Sequence, residues 1–306
     1  MDSTYSLHRN ELIQRIRELS KPLPPVDAKV QPKLKQLDNI KAVVFDFYGT
    51  MFVSATGDTL VESVDDKRNK AMSMALKTVF PNLDSYPSSS KVVELYIQEI
   101  ESQKQLMRDN GIDYPEIQIT DIWMGIINKL KNEGIKLPDL DDELHTLEKL
   151  TIEFEMRDNP TWPMPELKNT LDDLYDRNLI LGILSNSQFY TPLIYEAHFE
   201  VTPVQDVFDI NLCIWSFEEK LCKPSLSFYE QLVRSATDHY ELEPQNILYV
   251  GNDMLKDIYP AHHFGFKTAL FAGDSRSLKW RKDDDRCRNL EPDLIITNIS
   301  QILDCI

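Results

Sequence analysis

Short apolar runs recur along the chain, and segments with apolar residues at helical spacing separate them. Such runs, bounded by turn residues, are typical of strands that are buried in a sheet. The predicted strands cover residues 42–45, 179–184, 211–215, 247–250, 268–271 and 294–297. Strands that alternate with helices indicate βαβ units, so the pattern predicts an α/β fold with a parallel sheet.

A second apolar pattern, with helical periodicity, is concentrated outside these strands. Near the N-terminus one apolar face has helical spacing: Leu12, Ile13, Ile16 and Leu19. A Pro-rich run over 21–25 ends that pattern, and further apolar faces between 71 and 130 predict more helices. We therefore predict three parts, namely a helical appendage over 1–38, an α/β core over 39–58 and 160–306, and a helical cap over 59–159.

Composition and charge restrict the partners of the chain. Apolar residues make up 42% of it, as in globular proteins, and the formal net charge is −17. This charge argues against nucleic acid and anionic membranes, which are bound through Lys and Arg. A phosphorylated small molecule stays open, because local cations can dominate a small pocket. Four cysteines without metal-ligand spacing, and no apolar run of membrane-spanning or secretory type, predict a cytoplasmic protein of undetermined oligomeric state.

One carboxylate directly follows the first predicted strand. Asp46 comes after the apolar run 42–45 and before a turn at Gly49. Open α/β sheets bind their ligands at the carboxyl ends of buried parallel strands. Asp46 is therefore placed to attack an electrophile that is held above the sheet edge, and we predict it to be a catalytic nucleophile.

Three other polar segments follow predicted strands: residues 182–186, 216–225 and 249–257. Together with residues 41–50, and with the helical insertion between the first and second segments, they resemble the four motifs of the haloacid dehalogenase superfamily. Its members are hydrolases that pass through an aspartyl-ester or aspartyl-phosphate intermediate. The resemblance extends from about residue 40 to the C-terminus. It implies a three-layer, Rossmann-like core with an inserted helical cap and a small-molecule substrate.

The resemblance also implies roles for individual side chains. Ser185 would hydrogen-bond the transferring group, Asn186 would add a donor beside it, and Thr50 would bind substrate. Lys223 would neutralise the substrate charge and keep Asp46 ionised. Lys220 lies nearby in the sequence, and we predict that it is a surface residue.

The fourth motif implies a metal site. Asn252, Asp253 and Asp257 follow a predicted strand and would complete a magnesium site together with Asp46. Mg²⁺ prefers oxygen ligands, several of them waters and typically one or two of them carboxylates. The sequence thus makes Mg²⁺ a candidate cofactor.

Two departures from the superfamily pattern bear on the chemistry. Tyr48 stands where the first motif usually has a second Asp, and Asn252 stands at the first acidic position of the fourth motif. A phenol with a reference pKa of about 10 is a poor acid or base compared with a carboxyl. The dehalogenase branch also reads Asp-x-Tyr-Gly-Thr, and displacing a halide needs neither a leaving-group proton nor a metal. That branch uses a cap arginine; we take Arg68 as a substrate-binding candidate, with Arg108 and Arg157 as alternatives.

Three functions therefore stay open for this chain. We favour phosphate-monoester hydrolysis through Asp46 slightly, as the commonest chemistry of the superfamily. A metal-free, 2-haloacid dehalogenase-type hydrolase, with Tyr48 in the catalytic site, is the first alternative. A catalytically reduced binding or assembly protein is the second, although the retained Lys223 and Ser185 argue against it. The charged run 279–286 is predicted to be a solvated surface loop.

Overall fold

The main sheet forms the centre of the molecule. A computed structural model of the chain describes residues 3–57, 64–138 and 142–306. Within them the strands of this sheet are β1 Ala42–Phe45, β4 Ile180–Ser185, β5 Phe208–Trp215, β6 Ile247–Gly251, β7 Lys267–Phe271 and β8 Leu294–Ile296. Their order is β5-β4-β1-β6-β7-β8, and all neighbours pair in parallel. The predicted α/β fold with a parallel, Rossmann-like core is confirmed.

Strand β1 lies in the middle of the sheet and is buried at every position. Val43 and Phe45 enter one apolar cluster, whereas Ala42 and Val44 enter another. Alternate side chains of a strand point to opposite faces, so both faces of the sheet are covered, as in a three-layer fold. This two-sided burial explains why the strand reads as a continuous apolar run.

The helices of the core follow its strands. They are α6 Leu167–Asp176, α7 Tyr190–Phe199, α8 Pro203–Asp206, α9 Ser216–Glu219, α10 Leu226–Tyr240 and α11 Tyr259–His263. Helix α7 was not predicted from the sequence. Its apolar residues, among them Leu193 and Ile194, lie between α1 Ser3–Leu19 and the sheet cluster rather than on one clear stripe.

Between β1 and α6 the described residues form four helices. They are α2 Asp66–Val79, α3 Ser89–Asp109, α4 Ile119–Asn132 and α5 Glu143–Asp158. A short antiparallel pair, β2 Phe52–Ser54 with β3 Thr161–Pro163, joins the chain where it leaves the core and where it returns. The predicted boundary between residues 58 and 59 lies outside the described residues, and the division into three parts stays a prediction.

Helix α1 packs against both the inserted helices and the core. Its residues Leu12, Ile13 and Ile16 are buried, and it contacts α5 and α7. Arg9 forms an ion pair with Glu196 of α7, and Arg15 forms one with Glu153 of α5. In the described part of the chain no helix combines the length and the apolar character needed to cross a membrane. The cytoplasmic location stays a prediction.

Candidate active site

The carboxyl ends of three adjacent strands bring the motif residues together. Phe45 of β1 pairs with Ile183 of β4 on one side and with Val250 of β6 on the other. Residues that follow these strands therefore meet at one edge of the sheet. Asp46 lies there, 6% exposed, next to Ser185, which ends β4.

The Asp46 carboxylate is held through one of its two oxygens. Oδ1 accepts hydrogen bonds from Ser185 Oγ at 2.9 Å and from Lys223 Nζ at 2.6 Å. The Ser185 hydroxyl also accepts the amide of Phe47 at 3.3 Å. None of the described residues donates to Oδ2. One oxygen is thus fixed and the other is open for attack on a substrate, an arrangement that suits a nucleophile.

Lys223 bridges two carboxylates in the interior. Its Nζ donates to Asp46 Oδ1 and to Asp257 Oδ1, both at 2.6 Å, and the side chain is 2% exposed. Burial lowers the pKa of this ammonium, but the charges and hydrogen bonds of the two carboxylates outweigh that effect and leave the pKa above its ordinary value. The ammonium therefore stays charged. Lys220, by contrast, is exposed.

Asn186 fixes the loop that carries the lysine. Its Oδ1 accepts the backbone amide of Lys223 at 2.7 Å. The side chain also lines the pocket at Asp46. Asn186 thus combines a structural contact with a position beside the reacting group.

Asp257 is the most enclosed acidic group of the fourth motif. Its Oδ2 accepts the backbone amides of Asn252 at 3.0 Å and Asp253 at 2.9 Å. Burial raises the pKa of the Asp257 carboxyl to about 6, although the Lys223 ammonium acts in the opposite direction. Near neutral pH this carboxylate is ionised but close enough to its pKa to accept a proton.

Protein groups engage the acidic and amide side chains of the predicted magnesium site in this structure. The Asp253 carboxylate is bound by Arg281 Nη2 at 2.6 Å, and both oxygens of Asp257 are already engaged as described above. Asn252 Oδ1 accepts the Thr50 hydroxyl at 3.0 Å. Among the described residues no group of three or more His, Cys, Asp or Glu side chains could hold a metal ion. Protein cations and amides engage these groups instead.

Tyr48 lines the pocket at Asp46 and has a buried phenol. Its phenol forms a buried 2.9 Å hydrogen bond with Thr191 Oγ1. Burial raises the pKa of the phenol well above its ordinary value, and the charges of Glu155 and Asp46 act in the same direction. Gly49 follows with a φ of +79°, and a Cβ there would come within 2.5 Å of Ser277 Cβ. The turn after Asp46 thus requires glycine.

The three candidate arginines lie in different places. Arg68 lies on α2 and donates to Asp158 Oδ2 at 3.2 Å; it does not line the pocket at Asp46. Arg157 binds Glu153 on its own helix. Arg108 lines a larger cavity that adjoins the pocket. Thr50 is fully buried against Asn252 rather than open to the pocket.

Two lysines that sequence reasoning missed line the pocket beside Asp46. They are Lys256, on the turn after β6, and Lys279, on the loop after β7. The prediction of a solvated loop over 279–286 was wrong for Lys279 and Arg281, because both reach the fourth motif. One signal was available, since the loop after β7 also starts at the carboxyl edge of the sheet. The pocket itself is small, about 40 Å³.

Known proteins resemble part of the chain in sequence and most of it in fold. The family model of haloacid dehalogenase-like hydrolases matches residues 138–271. No curated protein matches the chain. A solved 2-haloacid dehalogenase from Pseudomonas syringae pv. Tomato DC3000 is 18% identical, with 87% of this chain and 97% of that chain covered and a TM-score of 0.55.

Phosphatases are also among the similar structures. A predicted phosphoglycolate phosphatase from Haemophilus somnus 129pt is 19% identical with a TM-score of 0.46, and it covers 87% of this chain and 97% of its own. A phosphatase of the same superfamily from Thermococcus onnurineus is 18% identical with a TM-score of 0.49, with the same coverage. Residues 138–271 thus match the family of haloacid dehalogenase-like hydrolases, and most of the chain shares its fold with a solved 2-haloacid dehalogenase. At these identities the structural likeness leaves the substrate class open.

Proposed function

We propose that the protein hydrolyses a small anionic molecule through a covalent ester of Asp46. We further propose that the first leaving group departs as a stable anion, as a halide does from a 2-haloacid. One observation carries the choice: Tyr48, at the position two residues after the nucleophile, has a buried phenol bonded to Thr191 and a raised pKa. A leaving group that needs a proton finds no carboxylic acid there.

The proposed first step is a displacement at carbon. Asp46 Oδ2 attacks the carbon that bears the leaving group, a C–O bond forms, and the leaving group departs with the electron pair of the broken bond. Ser185 and Lys223 keep Oδ1 in place and offset its charge. A substrate carboxylate would be attracted by Lys256 and Lys279 at the same pocket.

The second step returns the free enzyme. Water attacks the carbonyl carbon of the Asp46 ester and gives a proton to Asp257, which lines the pocket and has a pKa of about 6. The tetrahedral intermediate then collapses, and the hydroxylated product leaves with the proton from Asp257 and with one former oxygen of Asp46. The second proton of the water passes to solvent, which returns Asp46 to its carboxylate. No step requires a metal ion, in keeping with the engaged acidic groups.

Phosphate-monoester hydrolysis is the second candidate, because of the local charge. Lys223, Lys256 and Lys279 all line the pocket at Asp46, although the chain carries a net charge of −17. A cluster of this kind suits a phosphate dianion. In this chemistry Asp46 would attack phosphorus, and the alcohol would have to take its proton from a lysine or from water.

Isotope labelling in a single turnover separates the two reactions. With enzyme in excess over substrate in H₂¹⁸O, carbon displacement puts the label into the Asp46 carboxylate, because water attacks the ester carbonyl. Phosphate-ester hydrolysis puts it into inorganic phosphate, because water attacks phosphorus. The substrates are a panel of 2-haloacids and phosphate monoesters, with and without Mg²⁺.

Two variants control this experiment. Asp46→Asn is nearly isosteric and should lower turnover by about a thousandfold or more while the fold is retained. Asp38→Asn removes the same charge at an exposed position and should leave turnover unchanged. Absence of halide and phosphate release by the parent protein across the whole panel would favour a binding protein instead.

A further inference from the structure

A large cavity adjoins the pocket at Asp46 and is not used by the reaction proposed above. Its volume is about 600 Å³, against about 40 Å³ for the pocket itself. Asn186, Lys223 and Lys256 line both spaces, so the cavity and the pocket share part of their wall. A cavity of this size suits a ligand far larger than a small haloacid.

Hydrogen bonds join the inserted helices to the core along one wall of the cavity. The amide of Cys222 donates to Tyr114 O at 2.8 Å, and the amide of Glu116 donates to Lys220 O at 3.1 Å. The buried Glu116 carboxylate accepts the Ser216 hydroxyl at 2.7 Å. These bonds join the loop after α3 to the loop that carries Lys223, so the cavity has a defined shape.

Cations from both sides converge on this cavity. Lys104 and Arg108 lie one turn apart on α3, and Lys256 lies on the core side. Burial raises the pKa of the Cys222 thiol to about 12 and the Glu116 charge adds to the rise, whereas the ammonium groups of Lys104 and Lys256 oppose it. Because Lys104 and Lys256 both act on this thiol, their ammonium groups lie near the same part of the cavity wall.

The acidic residues of the cavity do not cancel this charge. Glu116 is turned toward Ser216 and Gln188, and burial raises the pKa of its carboxyl. Asp113 is exposed to solvent. The contacts of Arg108 on its own helix are long: 3.4 Å to Gln105 Oε1 and 3.7 Å to Glu101 Oε2. The guanidinium of Arg108 and the ammonium of Lys104 therefore remain available to an anionic ligand.

We propose that Lys104 and Arg108 form a distal anion subsite, so that the substrate carries two anionic groups. One group would lie at Asp46, Lys223 and Lys279, and the other would lie against α3. This inference rests on the proposed function and adds to it the substrate class: a dianionic molecule with its reacting centre at one end. A simple haloacid would then be a poor substrate.

Binding of inert probes tests the subsite. We would measure, by calorimetry on the parent protein, the affinity of ω-carboxyalkylphosphonates of increasing chain length and of the alkylphosphonates that lack the carboxylate. At one chain length the doubly charged probe should bind about tenfold more tightly, roughly the effect of two exposed ion pairs. Lys104→Gln and Arg108→Gln should each lower the affinity ratio of the two probes by about three- to fivefold.

A matched variant and the probe pairs make the outcome decisive. Lys91→Gln removes one charge from the opposite end of α3, outside the cavity, where Lys91 binds Glu133, and it should change neither affinity. The proposal is overturned if the paired probes bind equally at every length, if neither binds at millimolar concentration, or if the α3 variants weaken both probes alike. Since the C–P bond is not broken, these results are independent of turnover. The binding experiment therefore distinguishes the absence of a distal anion subsite from a failure of Asp46 as nucleophile.

Discussion

A buried glutamate beside core helix α7 makes the stability of this protein depend on pH. Glu155 lies on α5, is 6% exposed, and accepts hydrogen bonds from Tyr96 Oη at 2.5 Å and Tyr190 Oη at 3.4 Å. Burial raises the pKa of its carboxyl to about 7; the charge of Asp158 adds to the rise, whereas the two hydroxyls and Arg68 oppose it. The folded state therefore holds this proton into the neutral range.

The sign and size of the effect follow from linkage. Below the ordinary pKa of 4.5 the carboxyl is protonated in the folded and the unfolded chain, and it contributes nothing. Between 4.5 and about 7 the unfolded chain loses the proton while the folded chain keeps it, so stability falls as pH rises. The full loss, reached above this range, is about 3 kcal/mol, at about 1.4 kcal/mol per pH unit.

Glu155→Gln removes this titration and keeps the size of the side chain. The free energy of unfolding of the variant, minus that of the parent, should be about 3 kcal/mol larger at about pH 8 than at about pH 4.5. Urea unfolding followed by tryptophan fluorescence at both pH values measures this change. Glu94→Gln, at an exposed position on α3, should show no such gain. An equal difference at both pH values for Glu155→Gln would refute the reasoning, because the carboxyl would then ionise near its ordinary pKa.

Three further substitutions test the site. Tyr48→Phe should cost about 1 kcal/mol through the lost bond to Thr191 and leave the pH profile of kcat unchanged; loss of a limb of that profile would contradict the inert phenol. Lys223→Met leaves two buried carboxylates without their cation and should lower the free energy of unfolding by about 3 to 5 kcal/mol in urea, so an unchanged midpoint would be inconsistent with the bridge. Arg281→Gln frees Asp253, and Mg²⁺ should then raise Tm by about 2 °C more than in the parent; equal Tm shifts would mean that Arg281 does not block a cation.

The position of the motif residues was predictable because the signal is local. The apolar run before Asp46 and the run before Ser185 each indicate a buried strand, and parallel strands place their carboxyl ends at one edge. The bridge by Lys223 could not be worked out from spacing, since it joins residues 177 positions apart. The expectation that Lys223 neutralises charge beside Asp46 came from the resemblance to a known family.

Other features lacked any local signal. Strands β2 and β3 are three residues each, too short for an alternating pattern to be read. Arg281 reads as part of a solvated charge run, and only the folded chain brings it to Asp253. Glu116 and Glu155 read as surface residues because isolated acids are rarely buried, and only their tertiary partners explain why both are enclosed.

The departures at positions 48 and 252 and the cations around the fourth motif belong to one electrostatic arrangement. Each departure removes a carboxylate that the superfamily pattern would place near Asp46. The remaining acidic groups are then matched by side chains of the chain itself, with Lys223 between Asp46 and Asp257, and Arg281 on Asp253. A buried carboxylate without a cation is costly, so this internal matching stabilises the site with no external ion. Asp46 shares its pocket with Lys256 and Lys279, and these cations would attract the anionic substrate that our proposed displacement requires.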